Sequence, residues 1–179
     1  QIPFKGIGNY VPEKRKHSPA ISSNANYPID GNKTLANLKD ALIKAGLKDG
    51  MTISTHHHFR DGDLLANQVF DIAKELGIKN LRWFPSASFP CHSHLIKYLE
   101  DGTINRIEGS MNGALGRFCS EGKMKGTAVL RSHGGRYQAI QDGEVVIDIA
   151  VIGAACADSF GNANGLYGPS ASGLLGFAL

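Results

Sequence analysis

Apolar positions along this chain recur with two alternating periods. Leu35, Leu38, Leu42 and Ala45 share one side of a 3.6-residue repeat, predicting a helix opened by Thr34 and stopped by Gly46. Residues 51–55, after the turn pair Asp49-Gly50, read as a strand. Leu65, Val69, Ile72, Ala73 and Leu76 again mark one helical face, with Asp63 as its cap and Gly77 as its end. A strand over 80–84, a helix over about 93–100, a strand over 104–108 and a helix around 115–120 continue the series. Such alternation predicts an α/β fold with a mostly parallel sheet flanked by helices. After Lys125 the pattern changes. Residues 128–131, 137–140 and 145–152 read as strands, the latter two joined through Asp142-Gly143 as a hairpin, so the sheet is expected to be mixed. Residues 145–151 are apolar apart from Asp148, as for a strand covered on both faces.

The ends differ from this core. Residues 1–31 are rich in Pro, Lys, Ser and Asn without periodicity and predict an irregular arm ahead of one α/β domain over 32–179. From Gly173 onward the chain reads as the start of a further strand, so the domain is expected to be the first half of a longer, two-domain chain.

Composition narrows the class. A chain of 179 residues with 42% hydrophobic content can bury a sizeable single core. Its formal charge of +3 comes from interspersed residues rather than a basic run, so nucleic acid is not implied. Cys91, Cys119 and Cys156 are odd in number and form no CxxC pair, which fits reduced thiols in a cytoplasmic setting. Neither a secretory signal nor a membrane-spanning apolar run is visible, and no membrane partner is expected.

The densest candidate chemistry is Ser54-Thr55-His56-His57-His58-Phe59-Arg60, where the first strand gives way to a helix. Open α/β sheets bind ligands at such junctions. Imidazoles and an arginine beside a helix amino terminus suit a carboxylate or phosphate. The plainer alternative is histidines satisfied by hydrogen bonds at a strand end. Metal binding is not expected, because no second His/Cys pair has ligand spacing. Ser132-His133-Gly134-Gly135-Arg136 repeats the same ingredients around glycines whose N–H groups can face an anion, although a glycine hairpin with solvated residues explains it equally well. Gly161-Asn162-Ala163-Asn164-Gly165 reads as a tight loop whose amides can donate to a forming oxyanion. Residues 109–116 can line a pocket or make a strand-to-helix turn with Asn112 as the cap.

Taken in order, Asp49-Gly50-Met51-Thr52-Ile53-Ser54 with His56-His57-His58-Phe59-Arg60, then Ser132-His133-Gly134-Gly135-Arg136, Ile147-Asp148-Ile149-Ala150 and Gly161-Asn162-Ala163-Asn164-Gly165 resemble the citrate lyase alpha chain from about Thr34 to Leu179. That family is similar to the class I coenzyme A transferases, which implies a coenzyme A transferase-like α/β domain. The resemblance implies exchange of an acetyl thioester for citrate, through an anhydride, to give citryl thioester and acetate. The thioester would sit on a carrier protein's phosphoribosyl-dephospho-coenzyme A arm, or on coenzyme A. Beta chain and gamma acyl carrier protein would be the partners in an oligomeric complex. On this reading His56, His57, Arg60, Gly134, Gly135, Arg136, Gly161 and Gly165 bind substrate, while Asn162, Asn164 and His133 are catalytic. Exchange of His57 or Arg136 for alanine is then expected to weaken carboxylate binding and leave the fold intact. One departure stands at Met111-Asn112, where the family pattern has Leu-Arg, a candidate carboxylate ligand. A transferase half for another carboxylate, as in the malonate decarboxylase alpha chain, and a non-catalytic assembly module are the alternatives.

Overall fold

The computed structural model describes residues 31–57 and 59–165. The predicted arm, apart from Gly31, the strand expected from Gly173 and His58 lie outside them. The series opens with α1 (Leu38–Lys44), which starts after Thr34 because Asn37 accepts the Asp40 N–H at 2.8 Å and caps the helix instead. Then come β1 (Thr52–Thr55), α2 (Leu65–Glu75), β2 (Leu81–Pro85), α3 (Ile96–Asp101), β3 (Ile104–Gly109), α4 (Gly113–Ser120) and β4 (Thr127–Leu130). At the head of α2, Asp63 accepts the Leu65 N–H at 2.9 Å, and Gly77, with φ of 76°, ends it as expected.

The next segment departs from the sequence expectation. Residues 137–140 belong to a helix, α5 (His133–Gln141), and no hairpin forms at Asp142-Gly143. There the Asp142 and Gly143 N–H groups donate back to Gln138 and Ile140, so the pair ends a helix. The expected strand over 145–152 shortens to β5 (Ile149–Val151). Geometry explains both corrections. The five strands run in the order β4-β3-β2-β1-β5 and every pairing is parallel, so β4 must reach the far side of β1 by a crossover that a hairpin cannot make. Antiparallel pairing among the described residues is confined to a separate ribbon of β6 (Cys156–Ala157) and β7 (Ala163–Asn164). Asp148, the polar break in the apolar run, accepts the Thr52 N–H at 2.7 Å and ties the entry of β5 to β1.

Reversal of direction at β5 also sets the layers. The larger core joins Ile53, Leu81, Trp83 and Ile107 to Val69 and Phe70 of α2, Leu99 of α3 and Leu115 of α4. A smaller one joins Phe84 to Ala139 of α5 and to Val145. Trp83 and Phe84 are neighbours in one strand and so point to opposite faces. Right-handed crossovers that reverse direction put their helices on opposite sides of a sheet, which is where α5 lies. At the end of β3, Gly109 has φ of 152°, and a Cβ there would stand 2.5 Å from the Pro85 carbonyl oxygen, so only glycine lets the strands close.

Among the described residues one helix covers that second face, and charge fills part of it. Glu108 is fully buried. Its Oε2 accepts from Arg131 at 2.7 Å, its Oε1 is hydrogen-bonded by Arg106, and Arg82 lies 3.7 Å from Oε1. Burial pushes the carboxyl up, but the bonds from Arg131 and Arg106 outweigh it and hold the group below its usual value of 4.5. The stabilisation is therefore complete above pH 4.5 and declines as pH falls from there through the lowered value. Glu108→Ala should cost about 3 kcal/mol, toward the low end for a broken buried pair because the arginines reach solvent. Urea unfolding at pH 7 measures that loss, and Glu108→Gln should flatten the acid limb of stability against pH.

Candidate functional site

Because all five strands are parallel, their carboxyl ends share one edge. His56 and His57 follow β1, Ser86 and Ser88 follow β2, Ser110 and Asn112 follow β3, Arg131 and Ser132 follow β4, and Ile152 and Gly153 follow β5. The strand order reverses between β1 and β5, a topological switch point where crevices open in such sheets. His56 and His57 emerge beside it, half-buried, their rings stacked at 4.9 Å and 22°. Across from them a Cβ on Gly153 would meet the Phe59 ring at 2.4 Å, so the segments after β1 and β5 touch.

Short hydrogen bonds run along this edge. The His57 N–H donates to Ser86 Oγ at 3.2 Å, and the Ser86 N–H donates to Thr55 O at 3.1 Å. The Ser88 N–H donates to Ser110 O, and Asn112 donates from its N–H to Ser88 Oγ and from Nδ2 to Ser88 O. Arg136 Nη1 donates to Ser110 Oγ and Arg131 O, both at 3.2 Å. His56 and His57, from the first segment singled out in the sequence, and the segment 132–136 thus stand at one edge, with serines that follow the intervening strands between them. Sequence reasoning passes over those serines. Their signal is Ser-Ala-Ser directly after a predicted strand.

Three expectations need correction. Ser132 to Arg136 is the first turn of α5 rather than an open glycine loop: Ser132 Oγ caps it by accepting the Gly135 N–H at 3.0 Å. His133 and Gly134 remain exposed on that turn, where a helix leaves its first N–H groups without intrahelical partners. Arg136 is fully buried, and burial pushes its guanidinium below the ordinary value, so it underpins the edge instead of projecting from it. Asn162 is engaged within its own ribbon, its N–H and Nδ2 donating to Asp158 at 2.9 and 2.8 Å. Those bonds hold the exposed Asp158 carboxyl below its usual range.

The remaining candidates are simply placed. Gly161 turns the β6–β7 ribbon with φ of 88°, close to the Lys33 side chain, and Asn164 and Gly165 follow on its second strand and just after it. Arg60 is exposed with φ of 55° in a short 3-10 turn, Arg60–Gly62, between β1 and α2. No helix among the described residues is long and apolar enough to cross a membrane.

A five-stranded parallel sheet flanked by helices, with paired imidazoles at its switch point and a capped helix amino terminus on the same edge, defines an open α/β domain. The family model for citrate lyase, alpha subunit (CitF), matches residues 31–179, and the chain belongs to that family. It is 42% identical over 148 residues to the citrate lyase alpha chain of Escherichia coli strain K12, and 43% identical over 147 residues to that of Klebsiella pneumoniae. Each match covers 82% of this chain and 29% of the relative, so the chain spans less than a third of their length. A crystal structure of the alpha subunit of citrate lyase from Streptococcus mutans, in complex with citrate, superimposes with a TM-score of 0.76 at 39% identity, covering 89% of this chain and 30% of that one.

Burial changes what mutation of Arg136 should do. Arg136→Ala should cost about 1–2 kcal/mol of stability by removing the donor to the half-buried Ser110 hydroxyl and Arg131 carbonyl. Denaturant unfolding tests it, and stability within 0.5 kcal/mol of wild type would return Arg136 to the role of a dispensable surface ligand.

Proposed function

We propose that this domain provides the carboxylate-acceptor wall of an acyl transferase acting on citrate within a citrate lyase complex. The observation that carries the reading is the emergence of His56 and His57 at the switch point between β1 and β5, on the edge that also carries His133 and the start of α5. Membership of the family and the citrate held by the streptococcal relative support it.

The chemistry follows from the acceptor's charge. Citrate has up to three carboxylates, so its site needs cationic or N–H-rich walls that do not themselves react. His56 and His57 can donate ring protons, His133 and Gly134 can add the α5 amino terminus, and buried Arg136 adds a positive charge beneath. Arg60 completes the rim. The thioester, on a carrier arm or on coenzyme A, supplies the activated acyl group. A cavity of about 470 Å³ beside this edge suits the end of such an arm in size. Met111, Leu130 and the main chain at Asn112 and Gly113 would hold it, and Gly116 has no room for a Cβ, since Met111 O would stand 2.6 Å away. This chain's residues bind and orient the acceptor carboxylate and keep its charge, so most of the acceleration comes from positioning and electrostatics. Asn162 and Asn164 are assigned to the developing oxyanion only if the ribbon moves its amides from Asp158 toward the edge. Beta chain and acyl carrier protein remain the partners of this reading, in an oligomer in the cytoplasm.

Titration calorimetry with citrate, and with acetate and malonate as comparisons, tests the assignment. Citrate-selective binding is expected, with His57→Ala losing about 1.5–3 kcal/mol of it, the value of one charge-assisted hydrogen bond. A folded chain that binds none of the three would instead favour the assembly module, and preference for malonate would favour the other transferase.

A further inference from the structure

Between β2 and α3 the chain makes a turn that closes on one imidazole. His92 is 1% exposed, with its ring edge-on to Trp83 at 5.6 Å. Its main-chain N–H donates to Phe89 O at 2.9 Å, while its Nδ1 accepts the Phe89 N–H at 2.8 Å. A ring nitrogen that accepts carries a lone pair, so the neutral ring has its proton on Nε2. Among the described residues Nε2 has no hydrogen-bond partner, and Asp63 Oδ2 stands 4.0 Å away. A second proton would have to enter at Nδ1, where the Phe89 N–H already points. Burial pushes the imidazole below its ordinary value, against the pull of Asp63 and Asp61 and in the same direction as the charge of His57. His92 therefore stays a neutral acceptor at neutral pH.

What this turn holds reaches the candidate site. The Phe89 ring stands edge-on to His57 at 5.0 Å, while Ser86 Oγ holds the His57 N–H. One contact fixes the ring of His57 and the other its backbone. We propose that His92 is a positioning residue for the site: by accepting the Phe89 N–H it keeps the Phe89 ring against His57 and so orients the imidazole that receives the carboxylate. The inference rests on the reading of His57 as a carboxylate ligand. His92 itself touches no substrate.

Histidine ring NMR and citrate titration of the full chain, with His92→Leu and His92→Asn, test it. Asparagine places its amide oxygen where Nδ1 stands, whereas leucine fills the space and accepts nothing. His92→Leu should shift the His57 ring signals and weaken citrate binding roughly tenfold or more, and His92→Asn should bring both back to within about twofold of wild type. Unchanged His57 signals in a folded His92→Leu would overturn the proposal. So would an asparagine variant as impaired as leucine, since packing on Trp83 rather than the acceptor would then be what matters. Should the leucine variant not fold, His92→Gln takes its place, because its longer side chain cannot put an acceptor at the Nδ1 position. If the wild-type chain itself binds no citrate, the carboxylate reading falls alone, and the His57 signals still decide the positioning role.

Discussion

A buried carboxylate on the less covered face of the sheet governs where the candidate site stands. Glu108 gathers Arg82 from β2, Arg106 from its own strand and Arg131 from the end of β4, and Arg131 also reaches Glu144 at 3.3 Å. Arg131 directly precedes Ser132, the cap of α5. The ion cluster therefore fixes the exit of β4 and with it the first turn of α5. A hydrophobic filling of equal volume would be the simpler solution, and buried ion pairs are often no more stabilising than apolar replacements. Apolar side chains have no directional bonds, however, and would not set the register between β3, β4 and the helix that follows.

The other half of the site is set by topology rather than by charge. β5 returns to pair beside β1, with Ile53, Ser54 and Thr55 matched to Ile149, Ala150 and Val151. That return places the switch point of the strand order beside His56 and His57, where the segment after β5 meets the segment after β1 at Gly153 and Phe59. It also sends α5 to the opposite face from α2 and α4, which among the described residues carries that one helix and a small core. The thin apolar cover on that side is what makes room for the Glu108 cluster. Switch point and ion cluster are thus two consequences of one reversal in strand order.

This balance explains what could be read from the sequence. α2 buries Ala66, Val69, Phe70 and Ala73 along one face, so its period is plain, and the parallel alternation from β1 to β4 was legible for the same reason. α5 buries only Arg136 and Ala139, leaving Tyr137 45% exposed. An arginine at the buried position breaks the 3.6-residue pattern, and Tyr137, Ala139 and Ile140 then mimic a strand. The paired histidines were legible because a strand end is a local feature. Ser86 and Ser110 were not, because their partners lie on other strands and turns. The bond that engages Asn162 is local but was not read either: Asp158, four residues upstream, accepts from its amide.

Burial also decides which cation matters most to a bound anion. Arg60 is exposed, so solvent and salt screen its charge. Arg136 is fully buried beneath the edge, where screening is weak, and its guanidinium stays protonated even though burial works against it. On the proposed reading the constant part of the attraction for a carboxylate comes from Arg136 and the amino end of α5, whereas His56 and His57 supply direct donors at the edge itself. Fixed charge below and direct donors above divide the work between attracting the anion and orienting it. The arginine can serve the first purpose without touching the ligand, which is why its burial does not remove it from the chemistry.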